Sequence, residues 1–147
     1  MTIQINKYWK FTEINDDEKY TLPPGKYYIG DIYYPLSESK TYYDIYYENG
    51  LYENYKGELI LVDSTFKGDG TFLGSDNNEY MVDSKTFGIL SYSLCLNNNC
   101  TAGGHVYSFI SPITVEIKDG IFKFNSDKFN LIINTEINIE DYMVDKK

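Results

Sequence analysis

His105 is the single histidine of the chain, and its imidazole is the one side chain whose ordinary pKa suits proton transfer near neutral pH. It follows Gly103-Gly104, a pair that can let a ligand approach the backbone or simply let the chain turn. Set beside Asp31 or Asp83, the imidazole would form the acid–base pair of a hydrolase or phosphodiesterase, with or without a divalent ion. In that case His105, Asp31 and Asp83 are the catalytic set. The chain carries no nucleophile elbow, phosphate loop, dinucleotide fingerprint or metalloprotease helix, so no catalytic role is assigned. The residues read instead as a binding set of Asp31, Tyr33, Asp69, Asp83, His105 and Tyr107 around one cleft.

Cys95, Cys100 and His105 follow a Cys-x4-Cys-x4-His spacing, and thiolates followed by imidazole are zinc-type ligands. A closed structural site needs a fourth ligand, which would have to come from elsewhere, for example Asp83. Two ordinary thiols, or an oxidised pair closing the Asn97-Asn98-Asn99 loop, are the simpler readings, and no metal or cofactor is expected. The oxygen-rich stretch from Asp69 through Asp76, Asn77, Asn78 and Glu79 to Asp83 lacks the regular spacing of a calcium loop. Asp and Asn in turns bond their own backbone, and these residues read as turns.

Tyrosine is concentrated, with eleven of the sixteen lying between Tyr20 and Tyr55. Such rings can stack a base or a sugar, but they also fit pleated sheets, and neighbours such as Tyr27 and Tyr28 must point to opposite faces of a strand.

The elements that must position these residues are mostly strands. Residues Ile3 to Phe11 alternate with period two, a polar connector runs from Thr12 to Tyr20, and Pro23-Pro24-Gly25 makes a turn. A second strand is expected from Lys26 to Tyr34, with Gly30-Asp31 in its middle marking a bulge or a close backbone approach. The spacing of Tyr42, Ile45 and Tyr46, with Ser37 or Ser39 as cap and Asn49-Gly50 as stop, predicts one short helix near residues 39–49. Further strands follow at Glu58–Asp63, Gly70–Leu73, Glu79–Val82, Thr86–Leu94, His105–Ile110, Ile113–Lys118, Ile121–Asn125 and Phe129–Asn134. Asp119-Gly120 is the best hairpin signal, because a type I′ turn needs positive φ at both central residues. The fold class is mainly β with some α: an antiparallel β-meander forming a small sandwich or barrel, in a single domain 1–147 whose last residues, 136–147, form a loose tail.

Composition narrows the partners. The net charge is −9, with thirteen lysines and no arginine. Bidentate recognition of phosphate or guanine is the province of Arg, so duplex nucleic acid is not an expected partner. The acidity could mimic nucleic acid towards a basic protein groove, or serve solubility. No stretch is long and apolar enough to span a membrane, and the N-terminal residues do not read as a signal peptide, so a cytoplasmic location is expected.

The tract Gly25-Lys26-Tyr27-Tyr28-Ile29-Gly30-Asp31, the Gly68-Asp69-Gly70 turn, Val82-Asp83-Ser84 and Gly104-His105-Val106 occur in that order. The chain thereby resembles a group of short bacterial and phage proteins with a Gly-Asp-Pro-Cys-Tyr segment, a Gly-Asp-Gly turn, a Val-Asp-(Ala/Ser)-Gly-x-Ile-Gly segment and a Gly-His-hydrophobic strand. The likeness runs from Gly25 to Asn134, with Ile32-Tyr33 in place of Pro-Cys and Lys85 in place of Gly. It implies interest in Asp31, Asp69, Asp83 and His105, and an accessory role. The expectation is a virus- or phage-type accessory protein, in the host cytoplasm if viral, that captures a small, nucleotide-like ligand or a host protein without catalysis. The alternatives are the hydrolase above and a structural or interface component, which would be a homo-oligomer.

Overall fold

The computed structural model describes residues 2–4, 8–15, 18–36, 49–95 and 103–140. Its strands are β1 (Thr2–Gln4), β2 (Trp9–Thr12), β3 (Lys19–Leu22), β4 (Gly25–Gly30), β5 (Gly50–Asn54), β6 (Leu59–Ser64), β7 (Gly70–Leu73), β8 (Glu79–Val82), β9 (Thr86–Ser91), β10 (Gly104–Phe109), β11 (Ile113–Lys118), β12 (Ile121–Ser126) and β13 (Phe129–Asn134). One helical turn, α1 (Tyr33–Leu36), follows β4, and a 3-10 turn (Tyr92–Leu94) follows β9. A seven-stranded antiparallel sheet in the order β1-β2-β5-β6-β9-β4-β10 packs against a four-stranded sheet, β13-β12-β11-β3, and the β7-β8 ribbon. The arrangement is a sandwich, and among the described residues no sheet closes into a barrel.

Strand alternation builds the core between the layers. Leu61, Phe87 and Ile89 of the large sheet meet Val115, Phe122, Phe124, Leu131 and Ile133 of the small one. Phe87 lies edge-on to Phe122 with ring centroids 5.0 Å apart, and burying a side chain of this size stabilises by about 1.5–3 kcal/mol. The large sheet is buried on its other face as well, where Trp9, Phe11, Tyr28, Tyr52, Ile60 and Leu90 cluster with Ile32 and with Leu36 of α1. Burial of both faces explains why β6 reads Leu-Ile-Leu-Val without alternation. Tyr27 and Tyr28 divide between the two cores, as the pleat requires.

Several elements differ from the sequence reading. Ile3 to Phe11 is not one strand but a hairpin, β1 against β2, with Ile3 opposite Phe11. Both arms of a hairpin keep the same alternation, so period alone does not reveal the reversal. β3 begins inside the expected connector, β5 was not anticipated, and the strand from Thr86 ends at Ser91 in the 3-10 turn. The strand expected to reach Tyr34 stops at Gly30, because the Asp31 carboxylate accepts the Tyr33 N–H and starts a helical turn there. Pro35 is tolerated in that first turn, where its missing N–H has no partner to serve. Among the described strands only β11-β12-β13 form a true meander, and the Asp119-Gly120 turn, with φ of 51° and 78°, joins the first two. The helix expected near residues 39–49 lies outside the described residues except for Asn49, which is not helical, and Gly50 opens β5. Residues 141–147 also lie outside them, whereas Asn138 is tied to the ribbon by the Thr71 N–H, which donates to its Oδ1 at 3.1 Å. No helix among the described residues is long and apolar enough to cross a membrane.

Candidate functional site

Where β4 ends, the register sets Gly30 opposite Gly104, and a methyl group at position 30 would lie 2.6 Å from the Gly103 carbonyl oxygen. Glycine is required here by the approach of the two backbones, and Asp31 N–H then donates to Gly103 O at 3.4 Å. The side chain of Asp31 turns inward and is fully buried. Its Oδ1 accepts from Tyr33 N–H at 2.8 Å and Ser84 Oγ at 2.6 Å; its Oδ2 accepts from Asp83 N–H at 2.7 Å and Ser84 N–H at 3.1 Å. Burial pushes the Asp31 carboxyl above its ordinary value, against the opposing pull of these four donors. On the far side of the same turn, Lys85 N–H donates to Asp69 Oδ1 at 3.0 Å. The Val82–Lys85 turn is thus held by two carboxylates from different parts of the chain.

Outward from this knot stand Tyr33, Tyr34 and Asp83. The two rings meet nearly perpendicular, with centroids 5.8 Å apart, and the Tyr34 hydroxyl donates to Asp83 Oδ2. That hydrogen bond, reinforced by burial and by the Asp83 charge, pushes the Tyr34 phenol up to about 12.

His105 and Tyr107 lie two residues apart on β10 and engage a different carboxylate. The imidazole packs edge-on against Tyr80, with centroids 5.0 Å apart, and its Nε2 is 3.3 Å from the Glu79 carbonyl oxygen. A carbonyl only accepts, so this contact places the proton on Nε2. The Tyr107 and Tyr80 hydroxyls donate to Asp76 Oδ2 at 2.7 and 2.8 Å, and Asn78 contributes its backbone and side-chain N–H groups to the same carboxylate. Partial burial of Asp76 works against ionisation, but these donors outweigh it and hold the carboxyl below its ordinary value. Burial raises the phenols of both Tyr80 and Tyr107.

The structure therefore joins Asp31, Asp83 and Tyr33 directly, places Asp69 behind the same turn, and seats His105 and Tyr107 on the neighbouring strand around Tyr80 and Asp76. Ser84, Tyr34, Asp76 and Tyr80 belong to these networks and were not singled out from the sequence as binding residues. Their signal is tertiary, apart from the local Asp76–Asn78 turn. Of the Cys95, Cys100 and His105 set, Cys100 lies outside the described residues, and Cys95 packs half-buried against the second core. Among the described residues no group of three side chains could hold a metal ion.

Compared with known proteins, the chain matches no family model, no curated protein and no solved structure.

Proposed function

We propose that the protein is a non-enzymatic binding module, of the accessory kind that the phage-protein resemblance implies, and that it captures a basic surface of a partner protein on the face around Tyr33, Tyr34 and Asp83. The observation that carries this reading is the state of Asp31, which is 0% exposed and saturated by four donors. A carboxylate so placed cannot reach a substrate, but it rigidly displays what surrounds it. Tyr33 is 42% exposed and Met81 48% exposed, and the Tyr34 ring and the Met81 carbonyl both border Gly103. Exposed Tyr and Met beside a carboxylate suit Lys or Arg side chains, which stack on phenol rings and pair with Asp83. The net charge of −9 favours the same sign of partner.

The hydrolase reading has less support. It needs His105 to share a proton with Asp31 or Asp83, whereas the imidazole is directed to the Glu79 carbonyl and Asp31 accepts only from the β4–α1 junction and the Val82–Lys85 turn.

A lysine- and arginine-containing peptide titrated into isotopically labelled protein tests the proposal. The amides of Tyr33, Tyr34, Asp83 and Ser84 should shift, binding should weaken with salt, and Tyr33→Ala should reduce affinity while leaving the unfolding midpoint in place. Shifts confined to other strands, or turnover of a phosphodiester that disappears in His105→Ala, would refute it.

A further inference from the structure

The other end of β4 has the opposite character. There the Pro23-Pro24 turn, the Lys56–Glu58 turn between β5 and β6, and the 3-10 turn at Tyr92 border an open groove of about 440 Å3. That volume is in the range that holds a small organic molecule. Lys26 Nζ sits 4.2 Å above the centre of the Tyr92 ring, which fixes the ammonium over the groove. Lys56 also lines the groove, with its Nζ 5.8 Å from the centre of the Tyr55 ring. Among the described residues neither ammonium lies within ion-pair distance of a carboxylate, as Lys19 does of Glu116 at 3.3 Å, although, against burial, the Lys56 charge helps hold the nearby Glu58 carboxyl below its ordinary value. Glu58 is the acid of the groove, and both its oxygens are engaged: Oε1 accepts from Asn54 Nδ2 at 2.8 Å and Oε2 from Ser93 Oγ at 2.5 Å. Asn54 Oδ1 in turn takes the Lys56 and Glu58 N–H groups, so the turn is rigid. What the groove offers a ligand is therefore two cationic donors, the edge of an aromatic ring and the apolar faces of two exposed prolines. This is a cationic recess in a chain of net charge −9.

We propose that this groove binds a small phosphate monoester carrying a ring, with Lys26 and Lys56 on the phosphate and the ring against Pro23, Pro24 and Tyr92. A dianion satisfies two ammonium groups at once, and without arginine the recognition is by point charge, which lysine supplies. The ring takes up the apolar wall that a bare phosphate would leave in water. The site is independent of the Asp83 face, since β4 separates the two ends by five residue steps, roughly 17 Å.

Adenosine monophosphate is the test probe, with inorganic phosphate and adenosine as the single-feature controls, each titrated into isotopically labelled protein. The monophosphate should shift the amides of Lys26, Gly57 and Tyr92 and bind more tightly than either control. Lys26→Gln and Lys56→Gln should each weaken it about five-fold, and the double variant more than twenty-fold, as expected for two partly screened charge contacts. Glu58→Gln, which removes the opposing charge and keeps the side chain's shape, should tighten it. Both lysines are exposed, Lys26 at the start of β4 and Lys56 on a turn, and an unchanged unfolding midpoint verifies that the variants fold. Tyr33→Ala serves as the control at the distant face and should leave this binding unaltered, so a failure here is distinct from a failure of the Tyr33–Asp83 proposal. No shift at these amides with about 10 mM probe, equal affinity for inorganic phosphate, or indifference to both lysine substitutions would overturn the assignment.

Discussion

Replacing Asp31 separates a carboxylate that holds the structure from one that performs chemistry. In Asp31→Ala, three backbone N–H groups and the Ser84 hydroxyl lose their acceptor. The hydroxyl can turn to Thr86 Oγ1, 2.7 Å away, which leaves the three part-buried backbone N–H groups without their acceptor. At the lower end of the one to three kcal/mol for each donor left without a partner, the expected loss is about 3–4 kcal/mol. Asp31→Asn should cost less. Its amide nitrogen fits on the Oδ1 side, where Ser84 Oγ can reverse to accept, and not on the Oδ2 side, where both partners are backbone N–H groups. Only the Tyr33 N–H is then opposed, and the loss falls to about 1–2 kcal/mol. Denaturant unfolding followed by the fluorescence of Trp9, the single and buried tryptophan, measures both values. The pH dependence has a definite sign. Because burial raises the folded pKa above the ordinary 3.8, the stability linked to this proton is fully present below 3.8 and lost as pH rises through the folded value. The advantage of wild type over Asp31→Asn should therefore be greatest in acid and shrink across that window. Asp31→Ala within about 0.5 kcal/mol of wild type would refute the role given to the carboxylate.

Three further outcomes are expected. Lys85 holds a left-handed φ of 63°, where a side chain costs roughly 1 kcal/mol, so Lys85→Gly should raise stability by about 0.5 kcal/mol in the same assay. Thr135 is fully buried, donating to Gly120 O and accepting from Phe66 N–H at 2.8 Å. Thr135→Val keeps the shape and orphans that amide, costing about 1–3 kcal/mol by chemical unfolding, whereas Thr135→Ser should lose far less. Donors hold Asp76 below its ordinary 3.8, so the stability it contributes is present above 3.8 and lost as pH falls through its folded value. Unfolding free energy measured against pH should show a shallower acid limb in Asp76→Asn.

Asp31 and Asp69 meet at the Val82–Lys85 turn while His105 sits apart against Tyr80, and the reason for this division is not local. Asp31 finds Ser84 across 53 residues, a pairing that no periodicity encodes. Lys85, by contrast, occupies a backbone conformation that glycine favours.

The sequence alone determined the local strand grammar. Gly70–Leu73, Glu79–Val82, Ile113–Lys118 and Phe129–Asn134 have the bounds that their alternation and turn residues predict, because pleat and turn chemistry act over a few residues. It also determined the absence of arginine and the single imidazole. Only the tertiary structure decided that β9 lies between β6 and β4, that one face of Tyr-rich β4 feeds each core, and that Asp31 is spent on donors while Lys26 and Lys56 share a groove. Strand neighbours and side-chain partners are chosen by burial and hydrogen-bond satisfaction summed over the whole chain, and distant segments leave no mark of that choice in one another's spacing.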